Sequence, residues 1–167
     1  MHYALGQSSY ALKQYRDAVN AWERVRASNP EFEPVYFDLV DGYLQGKDYD
    51  QAIRIMRAAG ERWPHDPEVF NALGVVQVAR GALDDAVGSF QQAVRAAPQD
   101  GTGYFNLAKT LELRYGKSRH YIRPLGRWIA NERDREAAVE LYKRYLEIGG
   151  AFEASAREAL ARLEWGR

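Results

Sequence analysis

The chain has 167 residues, 23 Lys and Arg against 23 Asp and Glu, a formal net charge of +0, and no cysteine. Zero net charge excludes attraction of the whole surface to nucleic acid or an anionic membrane and leaves only local patches. The lack of cysteine excludes a disulfide scaffold, thiolate catalysis and cysteine-ligated zinc, but leaves the compartment unknown. No apolar run approaches the ~18 residues of a membrane span. The opening MHYALGQSSY also lacks the basic start and apolar core of a signal peptide.

Three markers recur along the chain with one period of 34 residues: Leu5, Leu39, Leu73 and Leu107; Ala18, Ala52 and Ala86; Pro30, Pro64 and Pro98. The words around the alanines agree: YRDAV, YDQAI, LDDAV. Each unit reads as two helices. In the third, Val69, Phe70, Leu73, Val76 and Gln77 begin an apolar stripe that Gly81 ends. Asp84 and Asp85 then open a second helix with Ala86, Val87, Phe90, Ala93 and Val94, their negative charge suiting its N-terminal dipole. Pro98 stops that helix, because proline cannot continue the hydrogen-bond ladder. Small alanines at the crossings and large residues four later (Trp22, Met56, Phe90) predict a core that also holds the four leucines and Tyr142.

The fourth unit begins on schedule at Tyr104 and Leu107, but His120 stands where its alanine belongs. The matching Ala138 comes 18 residues later, with Tyr142 four beyond it. The period therefore predicts repeats at about 1–32, 33–66, 67–100 and 101–150, with an insertion near 116–133. The segment AFEASAREALARLEW carries Phe152, Ala156, Ala159, Leu160 and Leu163 on one face, which predicts a capping helix at about 151–165.

These residues resemble the tetratricopeptide repeat, a helix–turn–helix unit of this length. The signature is an aromatic, Leu-Gly, Ala-x-x-x-Phe and Pro, matched here by Phe70, Leu73-Gly74, Ala86-x-x-x-Phe90 and Pro98. The second unit has Tyr36, Leu39-Val40, Ala52-x-x-x-Met56 and Pro64; the first has His2, Leu5-Gly6, Ala18-x-x-x-Trp22 and Pro30. The resemblance implies an all-α right-handed superhelix, a solenoid of four such repeats closed by the capping helix, in one domain over 1–167. Met1 falls two residues inside the first repeat, an expectation that the chain is cut from something longer.

Catalytic and metal-binding constellations are missing from the sequence. His2, His65 and His120 are far apart, and His120 stands beside Arg119 and Arg123, poor company for a metal ion. There is no H-E-x-x-H and no phosphate-binding G-x-x-x-x-G-K-[ST]. Gly101-Thr102-Gly103 follows no strand and reads as a turn. The expectation is a non-enzymatic protein with no cofactor, no metal and no small-molecule substrate.

What remains is surface. The resemblance implies that first helices line a concave face that binds an extended peptide or a partner helix. On that basis the candidate partner-binding residues are Tyr3, Gln7 and Tyr10 of the first unit, and Phe37, Asp38, Asp41 and Leu44 of the second. The third contributes Asn71 and Val75, the fourth Phe105, Asn106 and Lys109. A basic and asparagine clamp for a chaperone's C-terminal carboxylate is not matched. One frame of its positions holds Tyr3, Gln7, Glu68 and Ala72; the next holds Phe37, Asp41, Thr102 and Asn106.

The insertion is basic. Seven Lys and Arg lie between residues 114 and 135 against Glu132 and Asp134. Ile122, Leu125, Trp128 and Ile129 are spaced for one face of a short helix near 124–130, which Pro124 could begin. That spacing predicts a buried Trp128, with Arg119, Arg123 and Arg127 accessible to an acidic partner. Two other readings stay open: binding of nucleic acid or another polyanion through the insertion, which the net charge disfavours, and a regulatory or oligomerising segment of a larger protein, with self-association.

Overall fold

The computed structural model describes residues 1–165. Its elements fall into two compact units, Met1–Gly81 and a second that begins at Ala82. The first is built from α1 (His2–Ala11), α2 (Tyr15–Ser28), α3 (Pro34–Gln45), α4 (Tyr49–Arg62) and α5 (Pro67–Arg80), each helix packing on the next in order. The second holds α6 (Leu83–Ala96), α7 (Gly101–Ser118), β1 (His120–Ile122), β2 (Arg127–Ile129), α8 (Glu132–Ile148) and α9 (Glu153–Trp165). The all-α repeat fold is therefore as the period predicts, with one short hairpin added.

The helix boundaries follow from local chemistry. Pro34 and Pro67 stand in the first turns of α3 and α5, where the missing N–H has no partner to lose. Asp48, Asp66 and Asp100 cap α4, α5 and α7, accepting from Gln51 N, Glu68 N and Thr102 N at 3.3, 2.8 and 2.9 Å. Gly81 ends α5 at φ +88°, a left-handed conformation that glycine adopts without strain.

Ala18, Ala52, Ala86 and Ala138 are fully buried, as helix crossings require. In the first unit Trp22, Tyr36, Leu39, Met56, Val69 and Val76 fill the core, each large side chain contributing roughly 1.5–3 kcal/mol by leaving water. Gly6 lies against the Trp22 indole so closely that a Cβ there would overlap the ring. Tyr36 donates to the Pro30 carbonyl at 2.9 Å, and Tyr104 makes the same contact with Pro98 at 3.3 Å. The tyrosine at this place thus ties α3 and α7 each to the proline turn before it. In the second unit Phe90, Leu107, Tyr142 and Tyr145 are buried, and α9 packs on α8 as a cap through Ala156, Ala159 and Leu163.

Some predicted core positions differ. Leu5 is 55% exposed and so lies outside the core. Leu73 is half-buried. The larger difference is the insertion. The short helix predicted near 124–130 is absent; β1 and β2 pair antiparallel instead, with Tyr121 opposite Trp128. A single 3-10 turn, Arg123–Leu125, joins them, and Gly126 at φ +59° reverses the chain. Glycine in that conformation breaks a helix, while aromatic and β-branched residues on either side favour strands. The insertion also lengthens its neighbours: α7 has 18 residues and α8 has 17, against 14 in α5 and α6.

Trp128 is 61% exposed and Leu125 58%, so these two side chains do not pack back on the helices, while Ile122 and Ile129 are half-buried. Asn131 stands at the N-cap of α8, but its side chain makes no capping hydrogen bond. Its backbone N–H instead donates to Ser118 Oγ at 2.8 Å, which closes the base of the hairpin.

Candidate protein-interaction surfaces

The first surface lies on α1, α3 and α5 of the first unit. Tyr3 packs edge-on against Phe32 with ring centroids 4.9 Å apart. Tyr10 packs on Tyr15 and Trp22 at 5.3 and 5.6 Å. Both rings are only half-buried, as are Phe37, Asp38 and Leu44, while Gln7, Asp41 and Val75 are exposed. Asn71 is buried, which removes it from the accessible face.

This surface is acidic. Burial and the neighbouring Asp38, which is hydrogen-bonded to the phenol, push the Tyr3 hydroxyl up to about 12. Burial followed by the charge of Asp41 raises Tyr10. Asp41, although exposed, is raised by partial loss of its hydration and by the charge of Asp38 one turn away. Oδ2 of Asp38 is shielded from solvent and has no hydrogen-bond partner. A carboxylate in that condition attracts a cationic donor, and no candidate residue of this face in the first unit carries positive charge.

In the second unit the candidates separate. Phe105 is a correction: it is 6% exposed and belongs to the core. Its ring stacks on Phe152 at 4.8 Å and leans on Tyr145 at 5.3 Å, because α8 and α9 close over α7 where a further repeat would otherwise stack. Asn106 is half-buried, and Lys109 is exposed with Nζ 5.8 Å from the Phe105 centroid. Arg119, Arg123 and Arg127 are all exposed. They do not form one patch, since Arg127 pairs with Ile122 and so lies on the opposite face of the hairpin from Trp128.

The second surface is a cleft of about 590 Å³ at the base of the hairpin. Its walls come from the last turns of α7 (Glu112, Tyr115, Gly116), from Arg119, from β2 (Trp128, Ile129), from the start of α8 (Glu132, Arg135) and from the end of α9 (Arg162, Leu163). The guanidinium of Arg119 sits 5.7 Å from the Trp128 centroid and 6.0 Å from that of Tyr115. The period of the sequence does not reveal this cleft, because α9 and the hairpin meet only in space. The one local signal is an arginine beside aromatics in YGKSRHYI.

No group of His, Asp or Glu among the described residues is arranged to hold a metal ion, and none of the helices described is long and apolar enough to cross a membrane.

Models of the tetratricopeptide repeat match residues 2–31 and 37–101, together more than half of the chain. Among solved structures, MamA from Desulfovibrio magneticus RS-1 is 19% identical with a TM-score of 0.67, over 92% of this chain and 75% of that one. Another crystal structure of MamA is 15% identical with a TM-score of 0.74, over 97% and 84%. YrrB, described as a TPR protein with an unusual peptide-binding site, is 18% identical with a TM-score of 0.69, over 95% and 72%. At these identities the likeness is one of fold. No curated protein matches the chain. The helix pairs, their crossings and the matched repeats lead to one conclusion: the chain belongs to the tetratricopeptide repeat family.

Proposed function

We propose that the protein is a non-enzymatic interaction module that binds an extended, basic segment of a partner along α1 and α3. The observation that carries this reading is the acidic, aromatic face formed by Tyr3, Tyr10, Phe37, Asp38 and Asp41, with Asp38 Oδ2 unpartnered and shielded. A lysine or arginine there gains both a charge-assisted hydrogen bond and an aromatic face. The description of YrrB as peptide-binding supports the reading by analogy of fold. Gln7, Leu44 and Val75 supply further contact along the face.

The test is titration with an N-acetylated, C-amidated peptide, Gln-Lys-Phe-Lys-Gln, against its glutamate counterpart. The expected result, read from the NMR signals of α1 and α3, is that only the lysine peptide binds this face, weakened about tenfold by Asp38→Asn and by Phe37→Ala. Equal perturbation of this face by both peptides, or a lysine peptide indifferent to both variants, would overturn the reading.

A second reading rests on the exposed Arg123 and Arg127 at the end of the hairpin, which would hold a nucleic acid by charge. It predicts tight oligonucleotide binding, lost when both arginines become glutamine and unaffected by Phe37→Ala.

A further inference from the structure

The charges lining the cleft at the base of the hairpin are three arginines against two glutamates. Two of the arginines are ion-paired. Arg135 Nε donates to Glu132 at 2.6 Å and its Nη1 donates to the Leu163 carbonyl at 2.9 Å. Arg162 holds Glu112 through hydrogen bonds of 2.6 and 3.0 Å, and Glu112 also accepts from the Tyr142 hydroxyl at 2.9 Å. Arg119 has no ion pair among the described residues, and its guanidinium is held only by the rings of Tyr115 and Trp128. Stacking leaves the in-plane N–H donors of a guanidinium free. The cleft therefore presents one positioned, unneutralised cation.

The rest of the lining is apolar. Trp128 is mostly exposed, with Ile129, Ala130 and Leu163 beside it. An accessible tryptophan next to an unpaired arginine is the composition of a protein contact centre rather than of ordinary surface. The volume of about 590 Å³ lies in the range of clefts that hold a ligand, roughly 300–1,000 Å³, and is enough for a short peptide segment. With the other two arginines paired to Glu132 and Glu112, the cleft offers a polyanionic backbone a single free cation, which suits one carboxylate.

We propose that this cleft binds an acidic segment of a partner protein, with a glutamate or aspartate carboxylate on Arg119 and a neighbouring apolar or aromatic side chain over Trp128 and Ile129. The inserted hairpin then supplies the wall that an uninterrupted repeat lacks. The proposal rests on the reading of the chain as an interaction module, but it concerns a different face and the opposite charge.

Gly116 offers the decisive variant. It lies inside α7 on the cleft wall, and a Cβ placed there meets nothing within 4 Å. Gly116→Leu should therefore fill the cleft while raising helix stability, since glycine is a poor helix former. The probes are N-acetylated, C-amidated Gln-Glu-Phe-Gln, its Gln-Gln-Phe-Gln and Gln-Lys-Phe-Gln counterparts, and oligothymidylate. The readouts are the NMR signals of the Trp128 indole and the Ile129 amide.

The glutamate peptide is expected to bind at least tenfold more tightly than the other two peptides. Arg119→Gln should remove that preference, Gly116→Leu should abolish binding with an unchanged or higher melting temperature, and the charge-matched control Arg95→Gln should change nothing. Three results would overturn the proposal: no preference for the glutamate peptide, binding that survives in Gly116→Leu, or oligothymidylate shifting the same signals at lower concentration. If the lysine peptide still perturbs α1 and α3 while the glutamate peptide moves nothing, the cleft proposal fails and the groove reading stands.

Discussion

Arg114 and Asp134 form a two-pronged ion pair across the base of the inserted hairpin, Nε and Nη2 each 2.6 Å from a carboxylate oxygen. Asp134 is 4% exposed, and Arg114 also reaches Asp84 on α6 at 2.6 Å. The pair joins the end of α7 to the start of α8 where the chain departs from its period. Its carboxylates hold the Arg114 guanidinium more firmly protonated, the hydrogen bond to Asp134 foremost. Arg114→Met leaves Asp134 buried without a counter-charge and should destabilise by roughly 2–4 kcal/mol in urea unfolding. Adding Asp134→Leu should recover most of that loss, because the penalty lies in the stranded charge. A double variant no more stable than the single would refute this account.

The repeat register has its own test at Gly6. A methyl group there must displace the buried Trp22 ring, so Gly6→Ala should destabilise by about 1–3 kcal/mol through overpacking, although alanine is the better helix former. Ala52→Leu, at a fully buried crossing of α3 and α4, should do the same. Thermal melts of both variants that match the parent would count against the packing described.

Two tryptophans should behave in opposite ways. Trp22 is 1% exposed and Trp128 is 61% exposed. Trp22→Ala should destabilise by about 3–5 kcal/mol, the range for a large aromatic lost from a core. Trp128→Ala should change stability by less than about 1 kcal/mol, and its effect should appear in partner binding instead. Chemical denaturation of the two variants side by side distinguishes them.

Glu33 makes stability depend on pH. A hydrogen bond shared with Asp66, burial, and the charges of Asp66 and Glu68 push its carboxyl from 4.5 to about 7. The folded state therefore holds this proton more tightly than the unfolded chain does. The stabilisation is fully present below about 4.5 and is lost as pH rises through about 7. The melting temperature should fall across that window, and Glu33→Gln should flatten the fall. A wild-type melting temperature that climbs steadily from pH 5 to pH 8 would contradict the assignment.

The helices, their order and most of the core were legible in the sequence, because helix pairing here is a short-range matter. A residue such as Ala52 or Pro64 acts on its own turn and on the next helix, so a period of 34 residues carries the information. The groove candidates of α1 and α3 came from the family resemblance and not from the period, and the acidic field that Asp38 and Asp41 impose on Tyr3 and Tyr10 was not legible at all. Where the period breaks, local spacing misleads. Ile122, Leu125, Trp128 and Ile129 have helical spacing, yet Gly126 in a left-handed conformation turns them into a hairpin with Trp128 outside. Phe105 keeps its place in the repeat, yet α8 and α9 bury it. Arg135 pairs with Glu132 only three positions away, but Arg162 is neutralised by Glu112, 50 positions away, while Arg119 stays free. No local pattern encodes such long-range pairing, because it is set by which helix ends meet, and only the tertiary structure decides that.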